Sequence, residues 1–160
     1  MRTLVYSPFF PKKCGRVWDL KNTATLGIGS NVGNSKKIFE WLWLWFAKHR
    51  AFSLLTSSPL YLNPPFGYHH QAHFYNATLS FKTALSVLEL FSLIFYLERR
   101  WGRSRKRAFK NAPRTLDIDV IFFNRLVSRQ AHRMLPHPEW SRRESVLVPL
   151  ILGHLAWREA

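Results

Sequence analysis

"FYNATLSFKTALSVLELFSLIFYLERR", residues 74–100, changes its hydrophobic period part-way along. Residues 74–81 alternate as a strand does, so Phe74 and Asn76 share one face. From Ser86 the spacing turns helical. Ser86 and Glu89 stand in capping-box positions, which predicts a helix from about Val87 to Arg100. Toward the C-terminus, a basic loop, "WGRSRKRAFKNAP", leads into "TLDIDVIFF", a further strand. Toward the N-terminus, "FSLLTSSPLYL" reads as one strand, followed by a polar loop, "NPPFGYHHQAH" (63–73). Before it, "ATLGIGS" (24–30) is a strand, "NVGNS" a turn, and residues from about Lys36 to His49 a helix. The order strand, helix, strand, strand, helix, strand is the split βαβ pattern. It predicts an α+β, ferredoxin-like βαββαβ fold, an antiparallel sheet with helices packed on it.

Residues 1–23 read as an N-terminal extension and residues 24–160 as a single domain. The helix carrying "IFEWLWLWF" is apolar nearly all round, so it should be deeply packed or partly covered by that extension. The tail "PHPEWSRRESVLVPLILGHL" is expected to add one or two further helical turns.

A chain of 160 residues that is 47% hydrophobic and 16% aromatic can bury a real core, which excludes intrinsic disorder. Its net charge of +15 and pI near 10.8 point to a polyanionic partner: nucleic acid, an anionic membrane, or a nucleotide with its phosphates. Cys14 is the only cysteine, so an internal disulfide and a cysteine-rich zinc site are both excluded, and a reducing, cytoplasmic setting is expected. Pro8 and Pro11 interrupt the apolar start of the chain, which does not read as a signal peptide. The most apolar stretches, residues 38–47 and 84–97, fall short of the roughly 20 residues that span a bilayer.

Eight of the 24 basic residues lie between Arg99 and Arg114, with no acidic residue among them. This run ends just before Asp117 and Asp119, which strand geometry projects from one face while Leu116, Ile118 and Val120 project from the other. Two like charges that close require a cation. Neighbouring arginines could supply it in an ion-pair network. Alternatively the pair binds Mg²⁺, which takes one or two carboxylates plus substrate phosphates, while arginines clamp those phosphates.

Other features are weaker. "GIGSNVG" (27–33) has neither dinucleotide nor P-loop spacing and reads as a tight strand-to-helix turn. His69, His70 and His73 read as a polar surface loop rather than metal ligands. Phe74 with Asn76 would suit a flat heterocycle, although from the pair alone a core ring and an edge amide is the preferred reading.

Taken together, "GSN" (29–31), "PPFG" (64–67), "FYNA" (74–77), "GRSR" (102–105), "PRTLDIDVIFF" (113–123) and "LPHP" with "VLVPL" resemble the 6-hydroxymethyl-7,8-dihydropterin pyrophosphokinase family of folate biosynthesis. The resemblance spans about residues 24–152. It implies transfer of pyrophosphate from ATP to the pterin hydroxymethyl group, with release of AMP. It also implies that Asp117 and Asp119 ligate two Mg²⁺ ions and that Arg103 and Arg114 stabilise charge at the transferring group. Glu98, Arg105, Lys110, Val120, His137 and Arg143 would form the ATP site, and Asn63, Pro64, Phe66, Phe74 and Asn76 would hold the pterin. A monomer with no nucleic-acid or membrane partner is expected. The family's Arg-Trp-Gly before "PRTLD" is replaced here by "KNA", and an aromatic of the tail by Ser145. Among rival readings, an RNA-binding sheet wants exposed aromatics where this chain has aspartates. Peripheral membrane binding through the Trp-rich helix suffers from that helix having no distinct polar face.

Overall fold

A computed structural model of the chain describes residues 1–15, 19–102 and 109–158. Among the described residues the order is β1 (Thr3–Val5), β2 (Asn22–Ser30), α1 (Ser35–Lys48), β3 (Phe52–Ser57), β4 (Leu60–Asn63), β5 (Phe74–Thr83), α2 (Val87–Arg100), β6 (Asp117–Phe123) and α3 (Glu144–Arg158). All strand pairs are antiparallel, in the order β1-β4-β5-β2-β6, with β3 also on β5. Since β2 and β4 both run against β5, they are parallel to each other with β5 inserted between them. The same holds for β5 and β6 about β2. This is the expected α+β architecture.

Local chemistry sets the helix starts. Asn34 caps α1 by accepting the Lys37 amide at 3.1 Å, and Ser86 with Glu89 forms a reciprocal capping box on α2. Alternation then sorts the sheet. Leu26, Ile28, Leu79, Phe81, Ile118 and Val120 point to one face, where α1 and α2 cover them in the main core. Phe46 of α1 stacks on Phe81 with ring centroids 5.1 Å apart. The other face carries Gly27, Gly29, Asn76 and Thr78, and α3 lies across it. A Cβ on Gly153 would stand 3.3 Å from Ser58, and Thr78 Oγ1 donates to the Pro149 carbonyl at 3.4 Å.

The structure revises two expectations. "FSLLTSSPLYL" is two strands, because the chain bends at Ser58, whose hydroxyl accepts the Thr78 amide at 2.9 Å. The tail forms one helix of 15 residues that runs through Pro149 and Gly153. Packing on the sheet offsets the amide bond that Pro149 cannot make. The chain's start contributes the edge strand β1, and Phe10, fully buried, packs on Phe39 while Phe9 stacks on Trp43 at 5.0 Å. The Phe39 and Trp43 side of the aromatic helix is thus covered by the N-terminal segment, one of the two outcomes its composition left open.

Candidate active site

Strand register builds the site. Asn76, Gly29 and Asp117 lie in one cross-strand row, and Thr78, Gly27 and Asp119 in the next. Both rows face the α3 side. The two glycines of β2 leave a side-chain-free floor between the amides and hydroxyls of β5 and the carboxylates of β6. Above it is a cavity of about 330 Å³, within the range of small-molecule sites.

At the acidic end, Arg114 Nη1 pairs with Asp117 Oδ2. Asp119 Oδ2 lies 3.8 Å from His137 Nε2. His137 Nδ1 accepts the Glu139 amide at 3.3 Å, which leaves the ring proton on Nε2, toward Asp119. Burial and then the Asp117 charge push the Asp119 carboxyl above its ordinary value, against the opposing pull of His137, Arg143 and Arg114. Because 39% of the Asp119 side chain remains exposed, solvent moderates this shift. Of the two alternatives raised by the sequence, the ion pair is present at Asp117 with Arg114, while Asp119 carries a raised carboxyl whose charge an added cation would offset. Two hard oxygen donors on one strand face fit Mg²⁺, which fills its remaining positions with phosphate oxygens and water. Among the described residues, no group of three or more His, Cys, Asp and Glu assembles into a fuller metal site.

At the other end, Asn76 Nδ2 donates to Asn63 Oδ1 at 2.6 Å, and Asn63 Nδ2 donates to the Pro64 carbonyl at 2.8 Å. This fixes the Asn76 amide with Oδ1 over Gly29, where a Cβ would approach to 3.0 Å. Phe74 and Phe66 supply the aromatic lining.

The cavity brings together Asn63, Phe66, Phe74, Asn76, Lys110, Arg114, Asp117, Asp119 and Arg143 from the expected set. Arg103 and Arg105 lie outside the described residues. Pro64 takes part through its carbonyl. Glu98 and Val120 do not line the cavity: the residues are 2% and 4% exposed. Glu98 Oε1 instead accepts the Ile118 amide at 2.8 Å. Ser145 lines the cavity where the family resemblance led one to look for an aromatic.

Sequence reasoning missed Gly27 and Gly29 as the floor. The available signal was a G-x-G pair at strand spacing, which was read as a turn. It also missed Asn31, whose Oδ1 accepts the Arg114 amide at 2.9 Å while Nδ2 donates to Gln71 Oε1 and the Ala72 carbonyl, both at 2.9 Å. One amide thereby ties the turn after β2, the loop after β4 and the segment before β6. Gly67 lies close to Asn111, where its φ of +77° and the 2.5 Å approach of a would-be Cβ to Asn111 Nδ2 make any larger residue strained.

A cavity with a carboxylate pair and guanidinium groups at one end, and a ring beside a fixed amide at the other, offers the groups that a phosphorylated ligand and a flat polar one would each need. The chain belongs to the 7,8-dihydro-6-hydroxymethylpterin-pyrophosphokinase (HPPK) family, whose model matches residues 25–152. It is 50% identical over 159 residues, 99% of this chain and 98% of the relative, to a Helicobacter pylori protein named 2-amino-4-hydroxy-6-hydroxymethyldihydropteridine pyrophosphokinase. Proteins of the same name from Campylobacter jejuni and Bacillus subtilis are 37% and 33% identical. The first match covers 90% of each chain, the second 82% of this chain and 77% of the relative.

Proposed function

We propose that this chain transfers pyrophosphate from MgATP to the hydroxymethyl oxygen of 6-hydroxymethyl-7,8-dihydropterin, with AMP as the other product. Family membership carries the reaction. The observation that carries its placement is the row Asn76, Gly29, Asp117, which sets the aromatic and acidic ends of one cavity on a single sheet face. The pterin ring lies over the glycine floor, with Phe74 and Phe66 against its faces and Asn76 Oδ1 meeting its donor edge. The triphosphate lies toward β6, where Arg114, Lys110 and Arg143 meet its oxygens, and the family resemblance adds the charge of Arg103 and Arg105 to this group. Asp117 and Asp119 would hold two Mg²⁺ ions, which when bound neutralise phosphate charge and align the chain. Arg114 hands its contact with Asp117 over to the incoming phosphates. Transfer of this kind needs positioning and electrostatic stabilisation rather than a protein nucleophile, which these residues supply. The protein acts as a monomer.

The test is product analysis. Purified protein with Mg²⁺, ATP and the hydroxymethyl pterin should release AMP in proportion to pterin consumed. ADP as product, or AMP release independent of pterin, would overturn the assignment.

A further inference from the structure

The cavity opens on the α3 side of the sheet, whereas the far side of the molecule carries a surface that the reaction does not use. On α1, Ile38, Phe39, Leu42 and Phe46 are buried, Trp41, Leu44 and Trp45 are half-buried on the outer side at helical spacing, and Lys37 and Lys48 are exposed. A groove of about 320 Å³ lies between Trp41, Leu44 and Trp45, bordered by Lys48 and His49. On α2 the outward stripe holds Leu88, Phe95 and Tyr96, which are 54%, 48% and 46% exposed. Arg100 joins the two stripes: its guanidinium lies 5.3 Å from the Trp41 ring centroid, and Nη1 donates to the Tyr96 hydroxyl at 3.3 Å. Apolar and aromatic side chains occupy the middle of this face, with Lys37, Lys48 and Arg99 at its margins. The acidic side chains on these two helices outside the core are Glu40 and Glu89, and Glu89 is engaged in the α2 capping box.

We propose that this two-helix face docks on the surface of an anionic lipid bilayer. Indole and phenol rings settle at the boundary between headgroups and acyl chains, and surrounding cations draw the protein to a negative leaflet. Charge decides against a second copy as occupant, because pairing two such faces would oppose cations on chains that each carry +15. It also decides against nucleic acid, which is gripped along a cationic groove, whereas here, apart from Arg100 between the two stripes, the named cations stand at the margins of an apolar centre. Docking in this orientation leaves the cavity facing the aqueous phase, and the proposal does not depend on how the cavity is read.

The experiment is sedimentation of the full chain with vesicles of equal parts phosphatidylglycerol and phosphatidylcholine, against phosphatidylcholine alone. The protein should sediment with the anionic vesicles and remain in solution with the neutral ones. Leu88→Glu with Phe95→Glu should weaken vesicle binding about tenfold or more, with the thermal unfolding curve unchanged. Lys37→Gln and Lys48→Gln should each weaken it about fivefold. Should the glutamates disturb folding, Leu88→Ser with Phe95→Ser makes the same test. Failure to bind the anionic vesicles, or equal binding by the Leu88/Phe95 variants, overturns the proposal. So does a change in the sedimentation coefficient of vesicle-free protein in those variants, which would assign the face to a second copy. Polyuridylate binding lost in the same variants would assign it to nucleic acid.

Discussion

Glu98 Oε1 accepts the amide proton of Ile118 at 2.8 Å, so the last turn of α2 holds the backbone of β6 midway between Asp117 and Asp119. Only 2% exposed, Glu98 acts by fixing the strand that carries the carboxylates. Glu98→Ala would leave a buried amide unsatisfied and should lower the unfolding free energy by about 1–3 kcal/mol. Glu98→Gln retains an acceptor and should keep more of both stability and turnover. Urea unfolding of the two variants alongside AMP release checks this; a glutamine variant as damaged as the alanine one would show that the charge matters more than the acceptor.

Asp119 sets binding against stability. Its carboxyl is raised in the folded state, so the fold binds that proton more tightly than the unfolded chain does. Stability from this group is therefore greatest at acid pH and declines as pH rises from the ordinary carboxylate value, 3.8, through the raised one. Asp119→Asn should flatten that decline and leave the protein at least as heat-stable as the parent at neutral pH, while turnover falls by orders of magnitude. Melting temperatures between about pH 4 and pH 8, taken with steady-state rates, test both halves.

Asn31 predicts a coupled effect on both ends of the cavity. Asn31→Ala removes the acceptor of the Arg114 amide and the donor shared by Gln71 and the Ala72 carbonyl. Near-attack geometry is sensitive to such displacement, so kcat/KM should fall about 10–100-fold for both substrates. An effect confined to one substrate would show that the two loops are positioned independently.

Phe10 tests whether the N-terminal segment is part of the folding unit. It is completely buried and packs on Phe39 of α1, so Phe10→Ala should cost about 3–5 kcal/mol. A loss below about 1 kcal/mol would mean that the segment is an ornament on an independent domain.

Much of this was readable in the chain. The limits of α2 coincide with the reading from Ser86 and Glu89, because a capping box is local chemistry that the tertiary fold did not override. Alternation placed Asp117 and Asp119 opposite Leu116, Ile118 and Val120, and these three are buried. What escaped depends on partners distant in sequence. Nothing local in "FSLLTSSPLYL" reveals that the Ser58 hydroxyl meets Thr78, and nothing in Glu98 itself says that it faces a strand 20 residues on. The tail read as one or two helical turns until the sheet beneath it was visible. Likewise α1 looked apolar all round. Only its packing divides those residues between the core and an outward face, which reopens the membrane reading that the sequence had set aside.

Among the described residues β6 is the edge of the sheet, paired along one side with β2. Its outer rim is pinned from outside the sheet, at the Ile118 amide by Glu98 and at the Ile121 carbonyl by the His137 amide at 3.0 Å. The carboxylates thus stand on the strand that owes its rigidity to a helix terminus and a loop, the parts of a protein that loosen first on warming. Activity should consequently fail several degrees below the temperature at which the sheet itself melts. The gap between the inactivation and unfolding curves would then measure how firmly those two pins hold.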